Sequence, residues 1–75
     1  MRERMKLEAR YSDDGDYFYP IIRVSNQIGH YFGSFEMNDS YKTVDEALAI
    51  AQIVVDEYVR CGSMVRAIET ALNNR

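Results

Sequence analysis

The sequence predicts an α+β fold: an antiparallel three-stranded sheet packed on one long helix, with a short second helix, or an extension of the first, at the carboxyl end. Three observations predict it. Residues 43–58 carry a single apolar stripe behind a helix-start signal. Residues 5–24 hold two alternating runs around Asp14-Gly15. A third short run, His30 to Met37, follows a polar, glycine-containing loop.

The helix is the element on which the rest is organised. Thr43 followed by Glu46 is the capping-box pattern, in which a hydroxyl accepts from the third backbone N–H and a carboxylate reaches back to the cap's own N–H. Asp45 and Glu46 add negative charge where the helix dipole favours it. Val44, Ala47, Leu48, Ala51, Val54, Val55 and Tyr58 then recur at three- and four-residue steps, the period of one helix face. Ile50 and Ile53 widen that stripe.

Met5, Leu7, Ala9 and Tyr11 alternate with Lys6, Glu8 and Arg10, the period-two pattern of a half-buried strand. Asp-Gly between two such runs is a hairpin signal. A two-residue turn centred on Asp14 and Gly15 pairs Tyr11 with Phe18, Ala9 with Pro20, Leu7 with Ile22 and Met5 with Val24, and puts all eight on one face. The other face receives Arg4, Lys6, Glu8 and Arg10 opposite Ser25, Arg23, Ile21 and Tyr19. Pro20 conflicts with a central strand, having no N–H to donate. It requires either an open side for its nitrogen or a bulge. In the third strand, burying Tyr31, Phe35 and Met37 turns Phe32, Ser34 and Glu36 outward, the better of the two parities. Gly62 suits a helix end and Ser63 a new cap. Val65, Ile68, Ala71 and Leu72 keep helical spacing after it. A fourth strand through Val65 to Glu69 is the weaker alternative, its alternation being poor.

Seventy-five residues make one domain, 1–75, near the size at which a single core is only marginally stabilising. No apolar run is long enough to span a membrane, and the amino end lacks a charged–apolar–small leader. A cytoplasmic location is therefore expected. The single cysteine, Cys61, excludes an internal disulfide. A net charge of −3 counts against a general nucleic-acid binder, although Arg2, Arg4, Lys6 and Arg10 gather four of the nine basic residues at one end.

No catalytic, cofactor or metal motif emerges. Asp13, Asp14 and Asp16 lack the spaced ligands and closing glutamate of a calcium loop. His30 is the only histidine and cannot form a zinc site alone. Cys61 with His30 lacks a third orienting group, so Cys61 reads as a semi-buried structural thiol. Gly29 and Gly33 do not make a phosphate loop. What stands out is the sheet face away from the helix, with Tyr17, Tyr19, Ile21 and Phe32 among Arg4, Lys6, Arg10 and Arg23. A two-layer fold leaves such a face without cover, and an exposed apolar patch marks an interaction site.

Tyr11-Ser12-Asp13-Asp14-Gly15-Asp16-Tyr17, with Thr43-Val44-Asp45-Glu46-Ala47-Leu48 later, resembles the amino-terminal domain of HicB-type antitoxins. That family has a strand, an acidic glycine turn, a second strand and a Thr-x-Glu-Glu-Ala helix start. The resemblance spans about half of the chain and implies a similar fold and a protein-binding, toxin-directed role. The order of three strands and a helix also resembles the small sheet domain at the front of phage integrases, which lays its sheet on DNA. The expected function is a non-catalytic interaction module, self-associating or binding a protein partner through Tyr17, Tyr19, Ile21, Arg23, Phe32 and Arg10. The alternative is nucleic-acid binding through the same face, where aromatics interleaved with basic groups can stack bases and hold phosphates.

Overall fold

The computed structural model describes residues 5–73; the expected outward position of Arg4 lies outside them. Strands β1 (Lys6–Asp13), β2 (Phe18–Ser25) and β3 (Tyr31–Glu36) precede helices α1 (Val44–Cys61) and α2 (Met64–Asn73). The sheet is antiparallel in the order β1-β2-β3, so the α+β architecture expected from the pattern is the one found. α1 packs across β1 and β2 and against α2, whereas neither helix brings its backbone up to β3.

The first hairpin differs in its turn. β1 and β2 pair Tyr11 with Pro20, Ala9 with Ile22 and Leu7 with Val24, two residues away from the register of a two-residue turn. Asp14 is the cause. Its Oδ1 accepts from the backbone N–H groups of Asp16 (3.0 Å) and Tyr17 (2.9 Å), and its own N–H donates to the Tyr17 carbonyl. This side-chain-closed turn needs all of residues 14–17. A slip of two keeps every side chain on its expected face, so Leu7, Ala9, Ile22 and Val24 still turn to the helices. Tyr11 and Phe18, no longer directly opposite, meet edge to face with centroids 5.9 Å apart.

Pro20 sits in the central strand because of where that strand's partner ends. Its carbonyl accepts from Met37 N–H (3.0 Å). The nitrogen and carbonyl of one strand residue face the same edge, so the missing donor also faces the β3 side, just beyond the end of β3 at Glu36. Two further bonds, Phe18 N–H to Tyr41 O and Tyr41 N–H to Phe18 O, carry the returning chain along that edge. The β2–β3 loop is closed like the first. Asn26 Oδ1 accepts from Ile28 N–H and His30 N–H, and Gly29 takes a positive φ of 95°.

α1 begins at Thr43, whose hydroxyl oxygen accepts from Glu46 N–H at 3.2 Å. The reciprocal half of the box is altered, because the Glu46 carboxylate takes the Thr43 hydroxyl proton (3.0 Å) rather than the backbone N–H. The helix ends at Gly62 in the left-handed conformation (φ 73°), with Gly62 N–H bonded to Tyr58 O. Ser63 then accepts from Arg66 N–H and starts α2 as a separate helix. Ile22, Met37, Ile50, Ala51, Val54, Tyr58, Ala67 and Ala71 form the buried core. No helix among the described residues is long and apolar enough to cross a membrane.

Candidate interaction surface

The face of the sheet away from α1 is built by alternation. Arg10 pairs with Ile21, Glu8 with Arg23 and Ser12 with Tyr19 across the first ladder, and Ile21 pairs with Glu36 and Arg23 with Ser34 across the second. Arg10, Tyr19, Ile21 and Arg23 therefore share this face, as their spacing requires. Tyr17 stands in the turn, exposed, rather than on the ladder.

Phe32 is the exception. The pairing shifts between Val24 and Ser25, so that Val24 faces Gly33 but Ser25 faces Tyr31. Phe32 is the extra residue of a bulge, which re-aims its neighbours. Tyr31, expected toward the helix, instead lies beneath the Arg23 guanidinium, 4.7 Å from ring centroid to carbon, and its hydroxyl is 2.8 Å from Ser34 Oγ. Phe32 shares a groove with Met5, Val24, Phe35 and Met64, on the helix side of β3. Tyr31 and Phe32 have exchanged faces. The signal for this was Gly33, since a glycine inside a strand marks a bulge.

The polar groups of the outer face are mostly engaged. Glu8 takes the Arg10 guanidinium at 2.9 Å, and that hydrogen bond, reinforced by the arginine charge, lowers the Glu8 pKa. Tyr19 Oη donates to Asp14 Oδ2 at 2.7 Å. This bond, followed by the two backbone N–H groups, lowers the Asp14 pKa, and the same bond raises that of Tyr19. Tyr19 is thus a tie across the hairpin end as well as a surface aromatic. Lys6, Arg10 and Arg23 line one shallow cleft of about 280 Å³, with Glu8 in the same cleft.

The larger apolar exposure is on β3. Three of its six residues, Tyr31, Phe32 and Phe35, are 55%, 61% and 43% exposed. A second groove, about 310 Å³, runs from Phe35 and Met37 to Ile68 and Leu72 of α2. Sequence reasoning placed Tyr31 and Phe35 in the core under a helix that was to cover the whole sheet, and so missed both.

Among the described residues no cluster of three His, Cys, Asp or Glu could hold a metal ion. Cys61 is half-buried and its thiol donates toward Ser63 O at 3.6 Å. His30 is an exposed loop residue. No protein-family model, curated protein or solved structure matches this chain.

Proposed function

We propose that this chain is a small non-catalytic binding module that assembles with protein through the open part of its sheet. One observation carries the reading: half of β3 is exposed aromatic side chain, on a strand to which neither helix brings its backbone. Apolar surface gathered in this way marks an interaction site on a small domain, and aromatics supply large contact area at low entropic cost. The centre of the surface moves from the hairpin toward β3, with Arg23 and Ile21 as its continuation on the outer face.

Nucleic-acid binding is the second reading, favoured by the cleft that gathers Lys6, Arg10 and Arg23. It ranks lower because Glu8 occupies that cleft and neutralises Arg10, and because the chain is acidic overall. Salt separates the two. Phosphate contacts release counterions, so affinity falls steeply with salt, whereas an apolar interface responds weakly. Titration with a single-stranded oligonucleotide over a range of salt should show no tight, steeply salt-dependent complex. Such a complex, abolished by Arg10→Glu, would replace the protein-binding reading with the second one.

A further inference from the structure

We infer that the occupant of the β3 edge is a second copy of this chain, paired antiparallel about a two-fold axis at Ser34 to make a continuous six-stranded sheet. The inference rests on the protein-binding reading and names its partner.

The hydrogen-bonding phase of the ladder locates the axis. Met37 N–H bonds to Pro20 O, so the pairs Pro20–Met37 and Ile22–Phe35 are the bonded ones, and Arg23–Ser34 and Ile21–Glu36 alternate with them. The backbone N–H and C=O groups of Ser34 and Glu36 therefore point away from β2, toward the open edge. A β3–β3 pair that uses these groups over the greatest length centres on Ser34. It joins Ser34 to Ser34 of the partner subunit and sets each Phe35 opposite Gly33 of the partner subunit.

That register is complementary to itself. Adding a side chain at Gly33 would meet nothing within 4 Å, and covering such a glycine with a cross-strand aromatic is a recognised way of stabilising a sheet edge. Glu36 falls opposite Phe32 of the partner subunit, the bulge residue, so its neighbour on the outer face is Tyr31 of the partner subunit, and Arg23 already lies over that ring. The two-fold thus brings Arg23 and Glu36 of opposite copies together twice, and it keeps the two Glu36 carboxylates apart. Such an isologous arrangement closes at two copies. The other sheet edge is guarded instead. β1 carries Lys6, Glu8 and Arg10, the last two ion-paired, and charge of this kind discourages edge pairing.

The test is charge reversal read by sedimentation equilibrium, with hydrogen exchange of individual amides. The wild-type chain should be a dimer in which Ser34 and Glu36 N–H become protected as concentration rises. Glu36→Arg and Arg23→Glu should each weaken dimerisation at least ten-fold while leaving the far-UV spectrum unchanged. An equimolar mixture of the two variants should restore it, because the native Arg23 of one chain then meets the native Glu36 of the other, and the two reversed positions meet with opposite signs. A dimer in which Ser34 and Glu36 amides exchange freely, or in which the mixture shows no rescue, overturns the β3 pairing while leaving a self-associating module. A chain that stays monomeric up to millimolar concentration overturns the second copy as occupant. The wider protein-binding reading fails separately, on the oligonucleotide titration.

Discussion

Asp14 gathers more bonds than any other exposed carboxylate on the hairpin: the Tyr19 hydroxyl and two backbone N–H groups. All of them favour its charged form, so its folded pKa is lowered. The stabilisation is therefore present above the pKa of an unfolded aspartate, about 3.9, and is lost as pH falls through the lower folded value. Tyr19 has the opposite sign. Its raised pKa means that the bond stabilises below the ordinary tyrosine value and is lost as pH rises through the raised one. The turn should accordingly be tightest over the broad range between these limits. Tyr19→Phe removes the largest contribution and should move the Asp14 pKa upward, toward the ordinary carboxylate value, in an NMR titration of side-chain carboxyl carbons. An Asp14 pKa that does not move would mean that the two backbone donors alone depress it. Cys61 is a simpler case: its thiol is half-buried and turned toward Ser63 O. Labelling at neutral pH should be no faster than that of a free cysteine.

At the scale of elements, the helix ends are the most local features and the easiest to test. Thr43→Ala removes the acceptor for Glu46 N–H and the partner of the Glu46 carboxylate. The expected cost is about 1 kcal/mol, a fall in melting temperature of roughly 4–8 °C for a domain of this size. Gly62→Ala places a Cβ on a left-handed residue with φ 73° and should cost about 1 kcal/mol, with Gly62→Asn milder. These ends were legible in the sequence because a cap depends on residues three or four positions away. The strand faces were legible for a similar reason, since alternation survives any even slip. What was not legible was turn length. Asp14-Gly15 announces a turn, but whether Asp14 closes it by backbone or by side chain is settled by Tyr19, which reaches back from the next strand. The parity of β3 failed likewise. Nothing in the alternation of Tyr31 to Met37 shows that Phe32 is left out of the ladder, and only the bulge-prone Gly33 hinted at it. Because that bulge exchanges Tyr31 with Phe32, the candidate surface moved while the fold did not.

The molecule as a whole depends on small residues where the helices meet. Ala51 of α1, and Ala67 and Ala71 of α2, are all 0% exposed in one core cluster, and α2 docks on α1 rather than on the sheet. Ten residues are too few for a helix to hold in water by itself, so α2 persists because it packs. A close approach of this kind leaves little room for a larger side chain. Ala67→Leu adds three carbons at such a position and should cost about 1–3 kcal/mol by overpacking, a large share of what a core of this size supplies. Val65→Ala on the exposed side of the same helix should change stability by less than about 0.5 kcal/mol. Denaturation midpoints of the two variants decide the matter, and the helical signal adds detail. If α2 undocks before the sheet and α1 unfold, Ala67→Leu should lose helical ellipticity at denaturant concentrations where the amide resonances of the hairpin are still native. Equal midpoints for Ala67→Leu and Val65→Ala would mean that α2 is held by Ile68 and Leu72 at the rim of the β3 groove rather than by its alanine face.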